Sequence, residues 1–264
     1  MEMNSLGTIL LFAIKNGAGE LHITKNSLPT MISPDGKSSR LCGVIPISTA
    51  IFDEINLKYL SNDETHTLRC IGSDSFLVFK IADTVIFRHL PTVEPLRSND
   101  KSYSVAYLNK KGLIVICSES QDLRIKNSYS VLASISERRT INALIIEREK
   151  YYSLPEDNET HIISMYRPDI ELEALFGMSR QINFECLLVP NCNSESAIKM
   201  AEEISEDKLV IIGIRPSDLH LLKKDSILYT ISINDDGTYS KKTDQKVKID
   251  ESIIIKNLRG AKHA

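Results

Sequence analysis

The chain has 264 residues, of which 42% are hydrophobic and 25% charged, with a formal net charge of −3. That length can bury a real core in one large domain or two smaller ones, and the balance excludes a disordered chain. The slight acidity leaves no basic footprint for nucleic acid, and no stretch reaches the roughly 18 apolar residues of a membrane-spanning helix.

The opening segment has a short apolar run with an acidic residue ahead of it, unlike the basic start and longer apolar core of a signal peptide. "TILLFAIK" and "ELHITK" then flank Asn16-Gly17-Ala18-Gly19. Asn-Gly between two strand-like runs predicts a hairpin, because both residues tolerate positive φ. "STAIFDEINLKYL" (48–60) places Ile51, Ile55, Leu57 and Leu60 at helical spacing behind Ser48-Thr49, a natural N-cap. "THTLRCIG" and "FLVFKIADTVIFRHLP" read as strands, the latter folded back at Ala82-Asp83. "YSVAYLNKKGLIVICS" predicts another hairpin bent at Asn109–Gly112.

Beyond it, "NSYSVLASISERR" reads as helix and "TINALIIERE" as strand. "SLPEDNETH" (153–161) has no apolar period and is the most loop-like stretch, so the expected lobes are 1–152 and 153–264. The last third is the clearest. "FECLLVP", "KLVIIGI" and "SILYTISI" are strands, separated by the helix "NSESAIKMAEEIS" capped by Asn193 or Ser194 and by a short helix opening at Pro216. A lysine-rich hairpin arm, including "SKKTDQKVK", closes the chain. Strand and helix alternating at this spacing predict an α/β fold of mixed sheets with helices.

Five scattered cysteines without a CxxC pair argue against a zinc site and against a disulfide framework, and suit a reducing, cytoplasmic compartment. The six histidines form neither HxxxH nor HExxH, so no metal site is expected. Cys117-Ser118 ends an apolar run where a nucleophile can sit, but no glycine frames it, and a buried thiol behaves as a small hydrophobe. Glu171/Glu173 and Glu202/Glu203 read as solvated faces. A P-loop needs GxxxxGK followed by Ser or Thr, and neither Gly36-Lys37 nor Lys111-Gly112 satisfies it; GxGxxG is absent as well. No catalytic residue can be assigned.

Three landmarks together resemble a degenerate actin-like fold. "LLFAIKNGAGELHITK" is similar to its first phosphate hairpin, and "FLVFKIADTVIFRHLP" resembles the second as found in the cytoplasmic actin-like proteins of type IV pilus machines. "FECLLVPNCNSESAIKMAEEISEDKLVII" is similar to its late strand–loop–helix–strand. Ala13 and Lys15 replace the acidic residue expected at the first loop, and Pro190-Asn191-Cys192-Asn193 replaces the late glycines. The resemblance therefore implies a relative of the type II secretion L subunit or its pilus counterpart, with two actin-like lobes and no cofactor. It would be a non-enzymatic scaffold for protein partners, a cytoplasmic assembly ATPase and other copies of itself among them. Its membrane contact would come only through an anchor or partner. The alternative is a nucleotide- or anion-binding enzyme, using ATP with magnesium, whose site is assembled from Asn16, Gly17, Gly19, Asn193 and Ser194. A helix N-terminus such as that behind Asn193-Ser194 favours anions.

Overall fold

A computed structural model describes residues 6–41, 46–60, 66–71, 74–96, 110–155, 160–234 and 239–242. The fold is α/β with mixed sheets, and the chain divides into two compact units. The first comprises Met1–Thr92 with Lys150–Ser153, the second Val93–Glu149 with Leu154–Ala264. The division therefore falls after Thr92, ahead of the expected boundary at 153. Residues 150–153 return to the first unit because Ser153 bridges Thr92, its N–H donates to Pro91 O (3.1 Å) and its hydroxyl to Leu90 O (3.0 Å).

The first unit has a six-stranded antiparallel sheet: β1 (Glu20–Thr24), β2 (Thr30–Ile32), β3 (Ser38–Arg40), β4 (His66–Ile71), β5 (Asp74–Ile81) and β6 (Thr84–Leu90), in the order β3-β2-β1-β6-β5-β4. The β5–β6 hairpin turns at Ala82-Asp83 as expected, with Ala82 at φ 50°. Helix α2 (Thr49–Tyr59) is capped by Ser48, and its Phe52 and Ile55 join Leu21, Ile23, Phe76 and Phe87 in the core. The run 6–15 is a helix, α1 (Leu6–Lys15), where a strand was expected. Ile9, Leu10 and Ala13 bury one side of it, and Gly17, at φ 79°, ends it. The Gly17 N–H donates to Ile14 O (2.8 Å) and the Ala18 N–H to Ala13 O (3.0 Å), the paired bonds of a Schellman cap. Asn16-Gly17 is thus a helix stop, and the hairpin reading of this segment is corrected.

The second unit holds β7 (Gly112–Cys117), β8 (Asn142–Glu147), β9 (His161–Tyr166), β10 (Cys186–Val189), β11 (Leu209–Ile214), β12 (Ile227–Ile233) and β13 (Tyr239–Lys242), in the order β13-β12-β7-β11-β10-β8-β9. All neighbours run parallel except β13, which is antiparallel to β12. Their nearly continuous Val/Ile/Leu runs follow from burial on both faces. One face packs Leu144, Leu187 and Val210 against α4 (Leu172–Ser179) and α5 (Glu195–Ser205). Helix α3 (Gln121–Ser136) packs on β11, β10 and β7. β7 lies between the parallel β11 and β12; the first arm of the hairpin expected around 109–112 falls outside the described residues. So do Cys42 and the "SKKTDQKVK" segment beyond Lys242. Among the described residues, no helix is long and apolar enough to cross a membrane.

Candidate functional site

Because its strands run parallel, the second unit's sheet gathers its carboxyl ends along one edge, where open α/β sheets place their ligands. A cleft of about 220 Å³ lies there. It is bounded by Gln121 and Ile125 from α3, Glu147 at the end of β8 and Arg148 after it, and Asn191 and Asn193 after β10. The loop after β10 is held by a close approach to β11. Cys192 N–H donates to Gly213 O (2.7 Å), and a Cβ at Gly213 would stand 2.1 Å from Pro190 O.

β7, residues 118–120 and α3 form a strand–loop–helix, the setting of a P-loop. The GxxxxGK[ST] pattern is not present there: residues 118–125 read Ser-Glu-Ser-Gln-Asp-Leu-Arg-Ile. The helix already begins at Gln121, with the Ser120 hydroxyl accepting from Leu123 N–H (3.4 Å). Arg124 turns back into the loop: its Nη1 donates to Ser118 O (2.6 Å) and Glu119 O (2.8 Å), and its Nη2 to Asn191 Oδ1 (3.3 Å). Only 4% exposed, the guanidinium is held below its ordinary pKa by burial and then by the nearby Arg215. The sequence scan for glycine and lysine passed over Arg124. Nothing in its local sequence marks it; its role in the loop appears only from its contacts.

Glu147 ends β8 and is buried, accepting from Tyr129 Oη (2.6 Å) and Ser164 Oγ (3.1 Å). Arg148 pairs with Glu171 at 3.1 Å. Cys117 is buried at the strand end, and burial pushes its thiol up to about 11, in keeping with a packing role. Glu202, read as solvated, is 7% exposed and accepts from Lys223 N–H (2.7 Å) and Ser226 Oγ (2.6 Å).

The sequence candidates divide between the units. Asn16, Gly17 and Gly19 lie at the C-terminal cap of α1 and the start of β1 in the first; Asn193 and Ser194 lie in the second. Asn193 lines the cleft. Ser194 is the N-cap of α5, accepting from Ala197 N–H (3.2 Å) and donating to Glu173 Oε1 (2.5 Å), so a carboxylate of the chain already sits at that helix start. Hydrogen bonds from Ser194 and then Ser196 hold the Glu173 carboxyl below its ordinary range.

Solved structures of similar fold include a pilus motor and two ATPases. The pilus retraction motor PilT with bound ADP matches 97% of this chain and 88% of its own, with a TM-score of 0.64 and 15% identity. The fold is similar to that of PilT. The ATPase DotB of Legionella pneumophila matches 96% of this chain and 86% of its own (TM-score 0.58, 13% identity). DotB of Yersinia pseudotuberculosis matches 96% and 82% (TM-score 0.52, 11% identity). No family model matches the sequence, and no curated protein matches it. The likeness to PilT and DotB overturns the actin-like resemblance and, with it, the cofactor-free, non-enzymatic scaffold. Of the landmarks behind that resemblance, the first opens with helix α1 in place of the expected strand.

Proposed function

We propose that this chain is a nucleotide-binding, ATPase-fold component of a pilus or secretion assembly, with the nucleotide held in the second unit over the carboxyl ends of β7, β8 and β10. The observation that carries the reading is the position of the cleft. It opens beside the strand–loop–helix of a sheet whose fold is similar to that of an ADP-bound pilus motor. Gln121, Asn191 and Asn193 offer amide groups to a polar ligand there, and Arg148, paired with Glu171, is a further lining residue. We propose that it works with protein partners, a cytoplasmic assembly ATPase and further copies of the chain, at the cytoplasmic face of the inner membrane. PilT and DotB, a motor and an ATPase of the same fold, support this placement.

Thermal unfolding of the full chain with ADP and with ATP tests the reading. Ligand at about a hundred times its Kd adds roughly 2.7 kcal/mol of stability, so a clear rise in Tm is expected. An unchanged Tm at millimolar nucleotide, with no heat of binding, rejects it.

A further inference from the structure

This inference rests on the nucleotide reading and concerns how the cleft recognises its ligand. The loop after β10 carries Asn191 into the cleft lining with its backbone held on both sides. Ahead of it, Pro190 O lies against Gly213 with no room for a Cβ between them; after it, the buried Cys192 donates its N–H to Gly213 O (2.7 Å). What remains free is the Asn191 side chain, whose carboxamide can present either its oxygen or its NH2 to the cleft.

Arg124 removes that freedom. It is buried and anchored from α3, with Nη1 donating to Ser118 O (2.6 Å) and Glu119 O (2.8 Å), and its Nη2 lies 3.3 Å from Asn191 Oδ1. A guanidinium has five N–H donors and no acceptor, so only the amide oxygen can face it. The reversed amide would set NH2 against a buried cation and leave donors unmade on both sides, which is costly. Asn191 Nδ2 is thereby turned away from Arg124, and among the described residues no acceptor meets it. Arg124 is not itself part of the cleft wall; it reaches the site through Asn191.

We propose that Arg124 is a positioning residue that fixes the Asn191 carboxamide with its NH2 free for the ligand, so that this end of the cleft selects a hydrogen-bond acceptor of the bound nucleotide. A double-mutant cycle read by titration calorimetry of the full chain with ADP tests it. Asn191→Ala deletes the donor and should weaken ADP about tenfold, or 1.4 kcal/mol. Arg124→Met leaves the amide unfixed and should weaken ADP several-fold. The double variant should bind no worse than Asn191→Ala alone, because Arg124 then has nothing to position. Losses that simply add, or an unchanged Kd in either single variant, overturn the proposal and leave the nucleotide reading standing. Absence of ADP binding by the wild-type chain overturns both. If Arg124→Met fails to fold, Asn191→Asp serves instead. Its carboxylate accepts from the guanidinium in a charge-assisted bond, so Tm should stay at or above that of wild type. It has no donor for the ligand, so ADP should bind about tenfold or more weakly. A lowered Tm, or wild-type affinity for ADP, in that variant overturns the positioning role.

Discussion

Gly213 has a precise steric task at the edge of the cleft. Its missing Cβ leaves room for Pro190 O, which would otherwise lie 2.1 Å away. Gly213→Ala must push the 190–193 loop outward, and a destabilisation of about 1–3 kcal/mol is expected from such overpacking, measured by urea unfolding. Glu202 is the opposite case, a buried acceptor on which Lys223 N–H and Ser226 Oγ converge. Glu202→Ala strands buried donors and should cost about 1–3 kcal/mol, against nearly nothing for its neighbour Glu203→Ala. Sequence alone gave both glutamates the same solvated role, because adjacent positions on a helix differ in burial only once the packing side is known. Glu173 carries a pH dependence. Its carboxyl is held low by Ser194 and Ser196, so its contribution is present above the unfolded carboxylate pKa and is lost as pH falls through the lower, folded value. Ser196→Ala should therefore be less stable at neutral pH, with the gap from wild type closing in acid.

Most of the elements were legible, since hydrophobic runs of the right length bounded by caps survive into the fold. Ser48 and the α5 cap behave as their residue types predict. The failure at α1 has a definite cause. Ten mostly apolar residues have no clear period, and Asn-Gly serves equally as a hairpin turn and as a helix stop. Gly17 adopts φ 79° with open space where a Cβ would go, so Gly17→Ala suffers only the left-handed backbone cost. A loss of about 1 kcal/mol is expected, with nucleotide affinity unchanged. The parallel setting of β7 was hidden for another reason: nothing in "GLIVIC" specifies whether its neighbour comes from the next segment or from one 97 residues on. In the fold its neighbours are β11 and β12.

For the whole molecule, the α/β class followed from the alternation of elements, but the choice between two α/β architectures depended on strand order, which is a long-range property. β8 is added three places from β7, and β10 and β11 later fill the gap. Of the residues singled out from sequence, Asn193 lies in the cleft lining, whereas Arg124, held by the loop after β7 and by Asn191, has no local sequence signal because its partners are set by the tertiary fold. The fold is similar to that of a motor solved with ADP, and the cleft of this chain lies at the carboxyl ends of its parallel strands. Photo-crosslinking of the full chain with an azido-adenine nucleotide, followed by peptide mapping, tests the central claim most directly. The account predicts label within residues 118–125 and 190–193, removed by excess ADP. Label confined to the first unit, such as residues 16–19, or label that ADP does not displace, would contradict it.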